Sequence, residues 1–158
     1  MSNGALSQLA VSVRKSASND LTFSVTNNHA APITLLRWES PLDPLALKLG
    51  KVRLFAPADS KEALDIPIIM VRRKMPPGTE SLVTIEPGET AESSIELKEP
   101  LVPVDKLTGH VKVSYQGRWV SAWQKRADQI SPKELEDLNA GEEALSGDYS
   151  MEPVTVGF

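Results

Sequence analysis

Short segments in which apolar and polar residues alternate constrain this chain more than any other feature. In residues 9–14 and 21–26 a large apolar residue occupies every second position. A period of two is the pattern of a β-strand that buries one face. Proline and glycine, 12 and 9 of the 158 residues, separate such segments as turns do. The pattern therefore predicts an all-β fold.

Further strand candidates follow along the chain, most of them bounded by proline or glycine. They are residues 33–38, 52–55, 66–71, 82–85, 94–97 and 111–115, with a weaker alternation over 149–156. Short strands at this spacing predict an antiparallel, immunoglobulin-like β-sandwich of seven to nine strands. Because proline cannot donate to a strand ladder, Pro153 predicts that the last strand lies at an edge.

One segment departs from the strand pattern. Ser131-Pro132-Lys133-Glu134 has the form of a capping box, and Leu135 and Leu138 follow at helical spacing. We expect one short helix near 132–139, ended by Asn139-Ala140-Gly141. A chain of 158 residues with 41% hydrophobic content suits one core, so a single domain is predicted over 1–158.

The composition argues against catalysis and against several classes of ligand. Cysteine is absent, which excludes disulfides and thiolate chemistry, and His29 and His110 are expected at a turn and a strand end. The sequence contains no zinc-peptidase, P-loop, dinucleotide or nucleophile-elbow motif. A net charge of -4 does not suit a phosphate-binding surface. We predict no enzyme activity, no cofactor, no metal site and no nucleic-acid partner.

The apolar runs and the start of the chain bear on location. The longest apolar run, residues 66–71, is too short to cross a membrane. The first nine residues lack the basic stretch and apolar core of a signal peptide. These observations predict a cytoplasmic protein with no membrane partner, or a secreted one if a leader has been removed.

Two proline-containing loops offer a surface for a protein partner. The first loop is Trp38-Glu39-Ser40-Pro41-Leu42-Asp43, and the second is Arg72-Arg73-Lys74, which precedes Pro76-Pro77-Gly78. A loop stiffened by proline loses less conformational entropy on binding. The residues predicted to contact the partner are Trp38, Glu39, Asp43, Arg72, Arg73 and Lys74.

The remaining tryptophans admit two interpretations. Trp119 and Trp123 stand four residues apart in a short segment of a chain with three tryptophans. They are either core residues or an exposed aromatic patch that binds carbohydrate or a small ligand. A third alternative is a structural homo-oligomer, a homodimer in which an edge strand pairs across a two-fold axis.

A family resemblance is carried by the segment Thr34-Leu35-Leu36-Arg37-Trp38-Glu39-Ser40-Pro41-Leu42-Asp43. The segments 69–73, 83–89, 94–97 and 109–113 follow it in the same order. Over about residues 7–116 the chain resembles the N-terminal propeptide region of deuterolysin-type and peptidyl-Lys zinc metallopeptidases. In that family the region is associated with folding assistance and latency, and the zinc ligands lie in a later catalytic domain that this sequence lacks. The resemblance therefore implies a protease modulator, either an inhibitor or a folding partner, with residues 117–158 as an extension and no catalytic residues.

Overall fold

In a computed structural model, which describes residues 4–17 and 19–158, the protein consists of two antiparallel sheets. The strands are β1 (Leu9–Ala17), β2 (Asp20–Asn27), β3 (Ile33–Leu36), β4 (Val52–Phe55), β5 (Leu82–Ile85), β6 (Thr90–Glu96), β7 (His110–Trp123) and β8 (Leu145–Gly157). One α-helix, α1 (Pro132–Asp137), accompanies short 3₁₀ segments at Leu6–Gln8, Thr79–Ser81, Val104–Lys106, Ala127–Gln129 and Leu138–Ala140. These elements confirm the predicted all-β sandwich with one short helix.

The two sheets differ in size. The smaller sheet has the order β1-β2-β6, and the larger has β4-β7-β3-β5 with β8 paired to the other side of β7. Strand β7 is long enough to pair with β4 through residues 112–115 and with β3 through residues 122–123. In the described part of the chain β8 pairs with β7 alone, which is the edge position that Pro153 predicts.

The stretch of β7 between its partners β4 and β3 is bonded by loops instead of a strand. The N–H of Gln116 donates to the Lys51 carbonyl at 2.9 Å, and the N–H of Arg118 donates to the Glu39 carbonyl at 3.1 Å. The loop that contains Trp38 therefore continues the hydrogen bonding of the sheet.

The core lies between the sheets and follows from the alternation along the strands. Leu21 and Phe23 of β2 face Val113 and Tyr115 of β7, and all four are buried. The rings of Phe23 and Tyr115 meet edge to face with 5.6 Å between their centroids. Burying each large apolar side chain contributes about 1.5 to 3 kcal/mol, so this layer is a main source of stability.

The strand predicted at residues 66–71 is wrong. Residues 63–74 have no regular secondary structure, and the N–H of Ile69 donates to the Lys48 carbonyl rather than to a neighbouring strand. Pro67 removes one donor from the segment, and Pro76 and Pro77 follow it. Ile66 packs against the core from this loop, whereas Ile68, Ile69 and Met70 are exposed.

Other boundaries also differ from those predicted. Strand β3 ends at Leu36 rather than at residue 38; the N–H of Arg37 still bonds to the Ser81 carbonyl, but Ser81 belongs to a 3₁₀ segment and no longer to β5. Strand β7 continues past Tyr115 to Trp123, and β8 begins at Leu145. The sequence placed no strand over 117–123, where Gly117 interrupts the alternation.

The capping box forms at the helix. The hydroxyl of Ser131 accepts the N–H of Glu134 at 3.1 Å, and the Glu134 carboxylate accepts the N–H of Ser131 at 3.0 Å. Within the described residues, no helix has the length and apolar character needed to cross a membrane.

Candidate functional site

The Trp38 loop, residues 37–43, is fixed by its own short polar side chains. The Ser40 hydroxyl donates to the Arg37 carbonyl at 2.7 Å and accepts the N–H of Leu42 at 3.1 Å. The Asp43 carboxylate accepts the N–H groups of Glu39 and Leu45 at 2.8 and 2.9 Å. Such local side-chain bonds stabilise a turn over an extended strand, so the loop has one defined conformation.

Glu39 sits at the tightest point of this loop. Its φ is 61°, in the left-handed region that costs a non-glycine residue about 1 to 2 kcal/mol. The cost is offset because its carbonyl accepts the Tyr115 hydroxyl at 2.7 Å as well as the Arg118 N–H. A Cβ on Gly117 would overlap this carbonyl oxygen, so the contact requires glycine there.

The Tyr115 hydroxyl is held in its protonated form. Burial raises the pKa of Tyr115 far above its ordinary value, and the negative charges of Asp43 and Glu39 raise it further. The phenol therefore donates to the Glu39 carbonyl throughout the physiological pH range.

Arg73 ties the basic corner, residues 72–78, to the Trp38 loop. Its Nη2 lies 2.7 Å from Asp43 Oδ2, and its guanidinium lies 5.4 Å from the centroid of the Trp38 ring. The Asp43 side chain is wholly buried, and that of Arg73 is 23% exposed. A charge-assisted bond in such surroundings is stronger than an exposed ion pair, so it anchors the corner to the sandwich.

The structure brings together four of the six residues predicted to contact a partner and separates their roles. Trp38, Glu39, Asp43 and Arg73 form one network, whereas Arg72 and Lys74 are exposed on either side of Arg73. The prediction for Asp43 needs correction, because its buried side chain bonds within the protein and does not reach a partner. Asp43 positions the surface instead.

Trp119 and Trp123 are core residues in this structure. They are 3% and 1% exposed and lie in two different apolar clusters. The register shift of β7 against β8 between Trp119 and Ala122 puts the two rings on opposite faces of the larger sheet, Trp119 in the cluster of Leu35 and Trp123 in the cluster of Leu36. The alternative in which they stack on a ligand is therefore corrected: neither ring is accessible.

Large exposed apolar side chains mark the exposed segment, residues 68–75. Met70 is 99% exposed, Ile68 69% and Met75 55%, and Ile69 is also exposed. Sequence reasoning missed this surface because an apolar run is normally a buried strand. The adjoining prolines were the available signal.

Two clefts meet at the Lys51–Glu39 ion pair, whose charged atoms are 3.1 Å apart. The apolar cleft has a volume of about 220 Å³ and is lined by Trp38, Leu49, Val71, Arg73 and Val120 besides the pair. The polar cleft has a volume of about 430 Å³, and its other side chains are Arg53, Gln116, Arg118, Asp148 and Ser150. The sequence did not predict either cleft, since their residues come from β4, β7, β8 and separate loops.

The two histidines lie apart from these clefts. His29 Nε2 is 3.0 Å from Gln124 Oε1, and His110 is an exposed residue at the start of β7. In residues 4–17 and 19–158, no three His, Asp or Glu side chains are grouped as metal ligands.

Comparison with known proteins identifies the relatives of this sandwich. A family model described as an immunoglobulin-like domain matches residues 8–158. A protein of Arthroderma benhamiae named "Uncharacterized secreted protein" is 32% identical over 149 residues, which cover 90% of this chain and 71% of that protein. The cytoplasmic location predicted above is wrong in the light of this secreted relative. The link to peptidase propeptides stays a prediction.

Proposed function

This chain belongs to an immunoglobulin-like domain family, and we propose that it is a non-catalytic binding module that regulates an endopeptidase outside the cell. The observation that carries the proposal is the exposed segment, where Ile68, Met70 and Met75 lie open to solvent beside the cations Arg72 and Lys74. Contiguous exposed apolar surface of this kind marks interaction sites.

The chemistry of the exposed segment defines its partner. Methionine and arginine are enriched at protein interfaces, where methionine adapts its shape to an apolar depression. Burying a side chain as exposed as that of Met70 contributes about 1.5 to 3 kcal/mol. Arg72 and Lys74 add attraction to acidic groups at the rim. The partner is therefore a surface with an apolar depression and carboxylates around it.

The anchoring of Arg73 favours binding without a large ordering cost. The ion pair to Asp43 and the contact with Trp38 hold the middle of the basic corner, while the side chains on either side project outward. Each long side chain that must be immobilised on binding costs about 0.5 to 1.5 kcal/mol. A segment already held in place avoids part of that cost.

Two observations favour an endopeptidase as the partner. The Trp38 loop and residues 69–73 are two of the segments in which the sequence resembles deuterolysin-type propeptides, and the Arg73–Asp43 ion pair joins them. An extended segment without strand partners also has the form in which polypeptides add to the edge of another protein's sheet. The name of the secreted relative supports a place outside the cell for this activity.

The test uses a deuterolysin-type zinc endopeptidase freed of its own propeptide. Initial rates of cleavage of a peptide substrate are measured as this protein is added. We expect the rate to change until one equivalent is present. The Met70→Ser/Lys74→Ser variant should need at least about tenfold more protein, since one buried apolar group and one cation are lost.

The matched control is Lys106→Ser, which removes an exposed cation away from the segment. It should act as the wild type does, and all three proteins should unfold at the same temperature. Cleavage rates that stay constant at a large excess of wild-type protein would reject regulation of this peptidase class. Equal potency of wild type and double variant would place the contact surface elsewhere.

A further inference from the structure

Three cationic side chains line the polar cleft, and two of them have no counterion among the described residues. Lys51 is paired with Glu39. Neither Arg53 nor Arg118 has a carboxylate within 4.0 Å among the described residues, although Asp148 stands opposite Arg118 in the β7–β8 register. Arg53 instead lies over the Phe55 ring, 5.4 Å from its centroid. Two guanidinium groups therefore line one cleft with their charge uncompensated at close range.

Arg118 also has an unsatisfied donor. Its Nε is buried, and no hydrogen-bond partner within the described protein reaches it. Buried donors are almost always paired in folded proteins, and leaving one unpaired costs about 1 to 3 kcal/mol. The buried Nε is out of a ligand's reach, so the donors that Arg118 offers in the polar cleft are its terminal nitrogens, which make no hydrogen bond within the described protein.

The apolar cleft lies directly beside the polar one, and the Lys51–Glu39 pair lines both. Trp38, Leu49 and Val120 give it an apolar wall. Its volume of about 220 Å³ is below the roughly 300 to 1,000 Å³ of sites that enclose whole small-molecule ligands. It has room for one large side chain rather than for a whole small molecule.

We propose that the two clefts together bind the C-terminal residue of a peptide whose last side chain is apolar. The terminal carboxylate accepts hydrogen bonds from Arg118 and Arg53, for which the planar guanidinium is suited. The side chain occupies the apolar cleft against Trp38 and Leu49. Gln116, Asp148 and Ser150 offer donors and acceptors to the peptide backbone.

This site goes beyond the proposed regulation of an endopeptidase and does not depend on it. The exposed segment contacts a folded partner through side chains that project into solvent, whereas the clefts take a chain end. Capture of a terminal carboxylate is a recurrent mode of peptide recognition. Endopeptidase cleavage is the class of reaction that generates new chain ends of this kind.

The experiment compares two probes that differ in one group, acetyl-Gly-Gly-Leu with a free carboxylate and the same peptide with a C-terminal amide. Binding is followed by calorimetry and by tryptophan fluorescence, to which Trp38 contributes from the wall of the apolar cleft. The acid should bind at least about tenfold more tightly than the amide, because one charge-assisted pair is lost in the amide. Acetyl-Gly-Gly-Ser with a free carboxylate should also bind more weakly than the leucine peptide.

Variants identify the groups responsible. Arg53→Gln and Arg118→Gln should each reduce the preference for acid over amide, and Lys106→Gln should preserve it. Arg53 is exposed, so its variant keeps the test decisive if Arg118→Gln fails to fold. The Met70→Ser/Lys74→Ser protein should bind the peptide as the wild type does, which separates this site from the exposed segment. Equal binding of acid and amide, or no binding at about 10 mM peptide, would overturn the proposal.

Discussion

The ion pair between Arg73 and Asp43 gives the sharpest test of how the candidate surface is held. Arg73→Gln leaves a wholly buried carboxylate with two backbone donors and removes its charged partner at 2.7 Å. Removing one partner of a buried pair costs about 3 to 5 kcal/mol, and a single hydrogen bond to a charged group contributes about 1.5 to 3 kcal/mol.

The Arg73 side chain is 23% exposed, so solvent screens part of this interaction. We therefore expect the lower range, a loss of about 2 to 3 kcal/mol in the free energy of unfolding. For a chain of this length that loss lowers the melting temperature by about 5 to 10 °C.

The assay is urea unfolding followed by tryptophan fluorescence, on wild type, Arg73→Gln, Asp43→Asn and the double variant. Residues in direct contact should couple, with an interaction energy of about 1 to 2 kcal/mol in the double-mutant cycle. Arg126→Gln, which breaks an exposed pair with Glu86, is the matched control and should change little. A coupling energy near zero would refute the view that this pair anchors the basic corner.

Three further outcomes follow from the packing and the charges. Gly117→Ala should lower the free energy of unfolding in urea by about 2 to 4 kcal/mol, because the added methyl forces the Glu39 carbonyl away from its donors. The control Gly157→Ala, where an added Cβ meets open space, should leave the free energy of unfolding unchanged. Trp123→Ala should cost about 3 to 5 kcal/mol by calorimetry and Trp38→Ala clearly less, because the first ring is buried and the second partly exposed. The Lys125 ammonium holds the pKa of Glu134 below its ordinary value. Glu134 therefore stabilises the folded state above its unfolded pKa and loses that effect as the pH falls through its folded pKa. The stability difference between wild type and Glu134→Gln, measured by urea unfolding, should be present at neutral pH and vanish in acid.

Local signals in the sequence predict much of this fold. The strands at 52–55 and 82–85 have the predicted bounds, because alternation and flanking turn residues act within a few positions. Helix α1 begins at Pro132, behind the capping serine. Each of these features depends on neighbours in the chain.

The candidate surface depends on distant neighbours, which explains where prediction failed. Residues 66–71 have the composition of a core strand, but whether a strand forms depends on a free ladder beside it, and the described segment has none. Asp43 looks like an exposed loop residue until Arg73, thirty positions away, is placed against it. The clefts require β4, β7, β8 and three loops to meet, which a single sequence does not reveal.

The hydrogen bonds by which the Trp38 loop completes the sheet also determine how the loop moves. Because the Arg118 amide is bonded to the Glu39 carbonyl, it exchanges with deuterium only when the loop leaves β7, and that opening also breaks the Tyr115 bond. The loop should therefore exchange with the slow amides of the central strands rather than with the fast amides of surface turns. Because the loop rarely opens, the surface has its binding conformation before the ligand arrives. The observed association rate should therefore rise with ligand concentration and show no plateau set by loop opening.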